Sequence, residues 1–289
     1  MLPRDQLNRL LSNPALLKEK IALALHRQAF GNSDYLRQAI DPVESSAVLF
    51  LLTPGCDVDP DSPGPCLVLN KRSDRVRQPG DLCCPGGSIS IKKDGWLARM
   101  LCLPFTPLTR WRFWHNWMQT RNQEASNLSF LLATGIRESY EEMRLNPFRL
   151  RFLGPLPSQQ LVMFERTIFP MVCWIPQRNK YTLNWEVERV VNVPLRHLFD
   201  SAQYARFRLT IETSANGNTT EEKIFPCLLL EDGSESEMLW GATFRITMAF
   251  LQTVFDFKTP ELDDLPEIAG QLERNYLTGN NQPLNRFNT

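Results

Sequence analysis

The stretch ATGIRESYEEMRLNP, residues 133–147, carries three carboxylates at a spacing that a helix brings together. At 100° per residue, Glu141 falls about 60° to one side of Glu138 and Glu142 about 40° to the other, so the three share a face. Leu132, Ile136, Tyr140 and Met143 gather roughly opposite, which gives the helix an apolar back behind an acidic front. Like charges at this spacing cost a few tenths of a kcal/mol. A divalent cation relieves the repulsion, because Mg²⁺ is commonly held by one or two carboxylates together with substrate phosphates. Arg137 stands four residues before Glu141 and is placed to pair with it. The plainer alternative is a solvated acidic face neutralised by Arg137 and Arg144.

Around this helix the pattern alternates between short apolar runs and turns. AVLFLLT (47–53), CLVLNKR (66–72), RLRFLGPLP (149–157), FPMVCWIP (169–176), ARFRLTIET (205–213) and KIFPCLLL (223–230) read as strands bounded by Pro, Gly and Asp. Residues 127–145 and 238–255 read as long helices. Strands mixed with two substantial helices predict an α+β fold, a mixed β-sheet sandwiched between α-helices. Residues 1–45 form a helical extension in which Pro14 separates two leucine-rich stretches. The polar segment 259–289 reads as a tail, loosely ordered beyond about Tyr276.

Upstream of the carboxylates stands LVLNKRSDRVRQPGDLC, followed by CPGG at 84–87. Together with the REXXEE pattern at 137–142, this resembles the Nudix hydrolase superfamily, most closely its coenzyme A diphosphatase-like subfamily. Leu69, Arg72, Ser73, Arg77, Gly80, Pro85, Gly86 and Gly87 match the extended motif that precedes that subfamily's catalytic helix. WGATFRI (240–246) is similar to the start of its last helix, and EVERVVNVPLRHLFD (186–200) to its strand and Pro-Leu helix. The resemblance spans residues 46–258 and implies a Nudix fold. It also implies an activity: hydrolysis of a diphosphate bond in a nucleoside diphosphate derivative, with coenzyme A or acyl-CoA as first candidates. Glu138, Glu141 and Glu142 would then ligate Mg²⁺ or Mn²⁺, with Arg137 beside them and Glu138 as candidate base. Arg72 and Arg77 would grip phosphate, and Gly86 and Gly87 would let the backbone approach it. Oxygen ligands favour these metals over zinc.

The sequence departs from the family pattern in three ways. The family box places Gly, five residues, Glu, seven residues and then Arg-Glu in one run; here 49 residues separate Gly87 from Arg137, and Ser129 stands where the box has its first Glu. Its closing Gly is Arg144, so a left-handed backbone there implies about 1 kcal/mol of strain. These departures keep open a second class of function, a catalytically silent module of the same fold that binds a nucleotide or a protein.

The separating segment, 88–126, holds Trp96, Trp111, Trp114 and Trp117 with six Lys/Arg against two acids, and it reads as an insertion. It is either a second cluster of core, a lid whose rings stack on a base, or a surface for a membrane or partner. Over the whole chain 32 basic residues balance 32 acidic ones, which gives no bias toward nucleic acid. Seven cysteines without paired spacing argue against a disulfide framework or zinc site. No apolar run reaches membrane-spanning or signal-peptide length, so the expectation is a cytoplasmic protein acting on a small diphosphate. No motif reports oligomeric state, and a homodimer is one option.

Overall fold

The computed structural model describes residues 3–32, 34–37, 40–55, 64–161, 166–176, 180–212, 220–232, 235–272 and 276. Helices α1 (Arg4–Leu11), α2 (Pro14–Gly31) and α3 (Asp34–Arg37) precede strand β1 (Ser45–Thr53). Then come β2 (Cys66–Arg72), β3 (Leu82–Cys83), β4 (Gly86–Ser88), α4 (Ile91–Leu101), α5 (Trp114–Thr120) and α6 (Asn122–Met143). The remainder is β5 (Arg151–Pro155), β6 (Gln159–Gln160), β7 (Thr167–Trp174), β8 (Val187–Pro194), β9 (Tyr204–Glu212), β10 (Thr220–Asp232), β11 (Glu235–Leu239), α7 (Gly241–Phe255) and β12 (Glu267–Leu272).

Strand β1 is buried along its whole length, and its alternation builds two cores. Val48, Phe50 and Leu52 point to one face, against Leu17, Ile21 and Leu25 of α2 and Phe244, Phe250 and Leu251 of α7. Ala47, Leu49 and Leu51 point to the other, against Leu128, Leu132 and Ile136 of α6. The result is the expected α+β sandwich, helices on both faces of a mixed sheet. Strand β1 runs parallel to β7 and antiparallel to β2 and β4, which share its other edge, while β8 pairs with β2 and β5 with β7. A second sheet runs β11-β10-β9-β12.

Several expectations are corrected. Helix α6 starts at Asn122, five residues before the predicted start and inside the segment read as insertion. Met238 and Leu239, read as helical, close β11, and α7 begins only at Gly241, whose φ of 63° makes the turn. Residues 267–272, read as part of a polar tail, form β12, parallel to β9. Tyr140 is exposed instead of packed on the helix back, and Arg144 lies over its ring at 4.9 Å. Cys66 is disulfide-bonded, against the expectation from an odd cysteine count, whereas Cys83, Cys84, Cys102, Cys173 and Cys227 are free. The expected loose order beyond Tyr276 concerns residues outside those described.

The tryptophans resolve in favour of core. Trp111, Trp114 and Trp117 recur every three residues and are buried, sealed by His26 stacked on Phe113 at 3.7 Å. Trp111 donates to the Leu153 carbonyl and Trp117 to His26 Nδ1, so both indole N–H groups are satisfied. Trp96 alone of the four stays exposed.

Candidate active site

The carboxylates stand where the C-terminal half of α6 passes beside β4. Asn70 of β2 donates its amide to Glu142 Oε2 at 2.8 Å, and the Gly86 N–H lies 3.4 Å from Oε1. Both donors are neutral. Burial, then the charges of Glu138 and Glu186, push the Glu142 carboxyl up to about 8 against the Gly86 and Asn70 donors. Glu138 is raised too, by burial first, although Arg137 opposes the shift. Glu141 lies at the rim, 44% exposed, with Lys93 at 3.6 Å.

Two glycines let these groups close in. A Cβ on Gly87 would sit 2.7 Å from the Glu138 carboxyl carbon, and one on Gly86, whose φ is 149°, would sit 2.4 Å from the Ala47 carbonyl. A single strand edge therefore carries both the tight turn and the contact with the acidic face.

Arg137 is fully engaged with protein oxygens. It donates to Asp94 through Nε at 2.6 Å and Nη2 at 3.1 Å, to Glu138 at 2.8 Å, to Glu141 at 3.3 Å and to the Ser88 carbonyl at 2.8 Å. This makes it a positioning residue that ties α6 to α4 and β4.

Asp94 is the residue sequence reasoning missed. It is fully buried and also accepts from the Ser90 N–H and the Thr134 hydroxyl. Arg137 thus draws its buried carboxylate partner from another helix, while the Ser129 hydroxyl turns back to the Ser126 carbonyl. A signal existed: Asp94 lies seven residues after Gly87, one beyond the family spacing, but on the near side of the long insertion. Glu186 was likewise overlooked. Backbone bonds from Thr182 to Met143 and from Asn184 to Glu142 draw its loop to the end of α6, and no spacing rule announces that.

Gly86 and Gly87 also line a cavity of about 670 Å³ that opens between β4, the 72–82 loop and the start of α7. Arg72 and Arg77 face it, the Arg72 Nε held by the Arg77 carbonyl at 2.7 Å. Arg166 and Arg245 join them, neither marked in advance, with Trp240 and Phe225 as an aromatic wall. Burial lowers the Arg245 pKa, and its guanidinium donates to the Gln160 carbonyl. The structure therefore brings together Glu138, Glu141, Glu142, Arg137, Gly86 and Gly87 and sets Arg72 and Arg77 in the adjoining cavity.

Among the described residues no three His, Cys, Asp or Glu side chains converge tightly enough to form a ready metal cage. Glu138 and Glu141 lean toward Arg137 instead. The donor set still suits a hard cation that keeps most of its waters and takes one or two carboxylates, and Glu142 offers such a cation a buried oxygen pair with no cationic partner.

No protein-family model and no curated protein matches this chain. Solved structures similar to it include several Nudix hydrolases. RenU, a Nudix hydrolase from M. smegmatis, is 12% identical with a TM-score of 0.35, over 54% of this chain and 73% of that one. A C. elegans Ap4A hydrolase binary complex is 12% identical at 0.33, over 52% and 80%. The NUDIX domain of Shewanella oneidensis NrtR complexed with ADP ribose is 13% identical at 0.31, over 60% and 84%. No helix among the described residues is long and apolar enough to cross a membrane.

Proposed function

We propose that the chain is a Nudix-type hydrolase that cleaves a diphosphate bond in a nucleoside diphosphate derivative with the help of Mg²⁺ or Mn²⁺. The observation that carries this reading is Glu142, a largely desolvated carboxylate held by neutral donors only, beside Glu138 and Glu186 and behind the glycine wall of an arginine-lined cavity. A divalent ion there would supply charge neutralisation at the phosphoryl oxygens and acidify an attacking water. Glu142 and Glu138 would hold the ion, with Glu141 at the rim, while Glu138 is the candidate base. Arg72, Arg77, Arg166 and Arg245 would bind the substrate's phosphates and Trp240 an aromatic or apolar portion. Coenzyme A or an acyl-CoA is the substrate the extended motif suggests, in a protein of the cytoplasm.

One observation favours the second reading, a silent binding module: Arg137 occupies oxygens of both Glu138 and Glu141. Hydrolysis assays with Mg²⁺ or Mn²⁺ across coenzyme A, NADH, ADP-ribose and diadenosine polyphosphates separate the two. Turnover that Glu142→Gln and Glu141→Gln both abolish supports the enzyme. Binding of one of these compounds without turnover by any form of the protein supports the module.

A further inference from the structure

Helix α4 buries one side and leaves the other unpartnered. Asp94, Ala98 and Leu101 face inward. On the same wheel Trp96 is the centre of the opposite face, with Met100 about 40° away and Lys92, Lys93 and Arg99 within about 60°. Trp96 is 64% exposed and Met100 40%. The Leu103 N–H bonds to the Met100 carbonyl, so Leu103 continues the same face one turn on, and Phe105 follows it at 84% exposure. Phe105 holds that position with a φ of 67°, a conformation bulky residues rarely adopt. Isolated exposed apolar residues need no explanation, but Trp96, Met100 and Leu103 in succession, with Phe105 in the turn that follows, do.

Charge selects the occupant. No Asp or Glu occurs from residue 95 to residue 123, and Lys92 and Arg99 border the strip, while Arg112 and Arg121 pair with Glu19 and Glu124 elsewhere. Protein–protein interface cores share the aromatic and Met content but are depleted of lysine, whereas here Lys92 and Lys93 flank the apolar centre. An apolar strip edged by cations, with a Trp at its middle, suits the boundary between anionic headgroups and acyl chains.

We propose that the α4 face centred on Trp96 docks this protein onto an anionic lipid surface. The proposal is independent of the diphosphatase reading, since none of Trp96, Met100, Leu103 or Phe105 touches the carboxylates or the cavity. Lys93, which reaches Glu141, sits at the border between the two regions.

The test is co-sedimentation of the full chain with vesicles of phosphatidylcholine alone and of phosphatidylcholine with phosphatidylglycerol. The parent is expected to sediment with the second and only weakly with the first. Lys92→Ala combined with Arg99→Ala should lower partitioning roughly 25-fold, about fivefold per charge, the equivalent of ~1 kcal/mol each. Trp96→Ser combined with Phe105→Ser should abolish it. Both pairs alter exposed side chains, and an unchanged unfolding temperature confirms that the fold persists. Failure to bind either vesicle, or binding that the Trp96/Phe105 pair leaves unchanged, overturns the proposal. So does Trp96-dependent self-association without vesicles, which would identify the face as a protein interface.

Discussion

Replacing Asp94 by alanine removes the acceptor for the Ser90 N–H, the Thr134 hydroxyl and two guanidinium nitrogens of Arg137. Asp94 is fully buried and the Arg137 side chain is 12% exposed, so little water replaces what is lost. Breaking a buried pair from one side costs about 3–5 kcal/mol. Arg137 keeps Glu138, Glu141 and the Ser88 carbonyl, which places the expected loss near the lower end, ~3 kcal/mol. For a chain of this size that is a fall of roughly 6–12 °C in Tm. Urea unfolding of the parent, Asp94→Ala, Arg137→Ala and the double variant would yield both the loss and the coupling, which should exceed about 1 kcal/mol. Activity should fall even at temperatures where the variant stays folded, because Arg137 without its Asp94 anchor holds Glu138 less firmly. Destabilisation under about 0.5 kcal/mol, or a coupling near zero, would refute the idea that Asp94 is the main anchor of Arg137.

Further outcomes follow from the same geometry. With its carboxyl raised from 4.5 to about 8, Glu142 keeps a proton in the fold that the unfolded chain releases, so the metal-free protein should lose stability as pH climbs through that window. Unfolding temperatures in EDTA should therefore fall between pH 5 and 8 in the parent but not in Glu142→Gln, and Mg²⁺ should restore the parent; identical slopes would discount the site. Gly86→Ala meets the backbone of β1 and should cost at least ~2 kcal/mol, measured by denaturant titration. Gly87→Ala meets only the mobile end of Glu138 and should spare stability while suppressing hydrolysis, so equal stability losses in the two would contradict this division. Arg144→Gly should gain roughly 0.5 kcal/mol, the ~1 kcal/mol of strain at φ 54° less a cation–π contact with Tyr140; a loss in the same titration would show that the contact outweighs the strain.

What the sequence determined by itself was everything carried by local period and local chemistry. Short apolar runs bounded by Pro and Gly at 47–53 and 66–72 marked the central strands, and a 3.6-residue repeat placed Glu138, Glu141 and Glu142 on one face with Leu132 and Ile136 behind. Left-handed backbone at Arg144 was legible from the residue expected there. Other features depended on contacts between distant segments, which leave no period to read. The strand 267–272 forms because β9 offers it an edge, not because its polar composition favours a strand. The tryptophans of 111–117 became core because α2 and β5 supply the other half of their packing. Asp94 and Glu186 reached the carboxylates through the folding of an insertion and of a loop, so only the tertiary structure could assign the partner of Arg137. Closeness in space across 43 residues of sequence is a property of packing, and packing is decided by the whole chain at once.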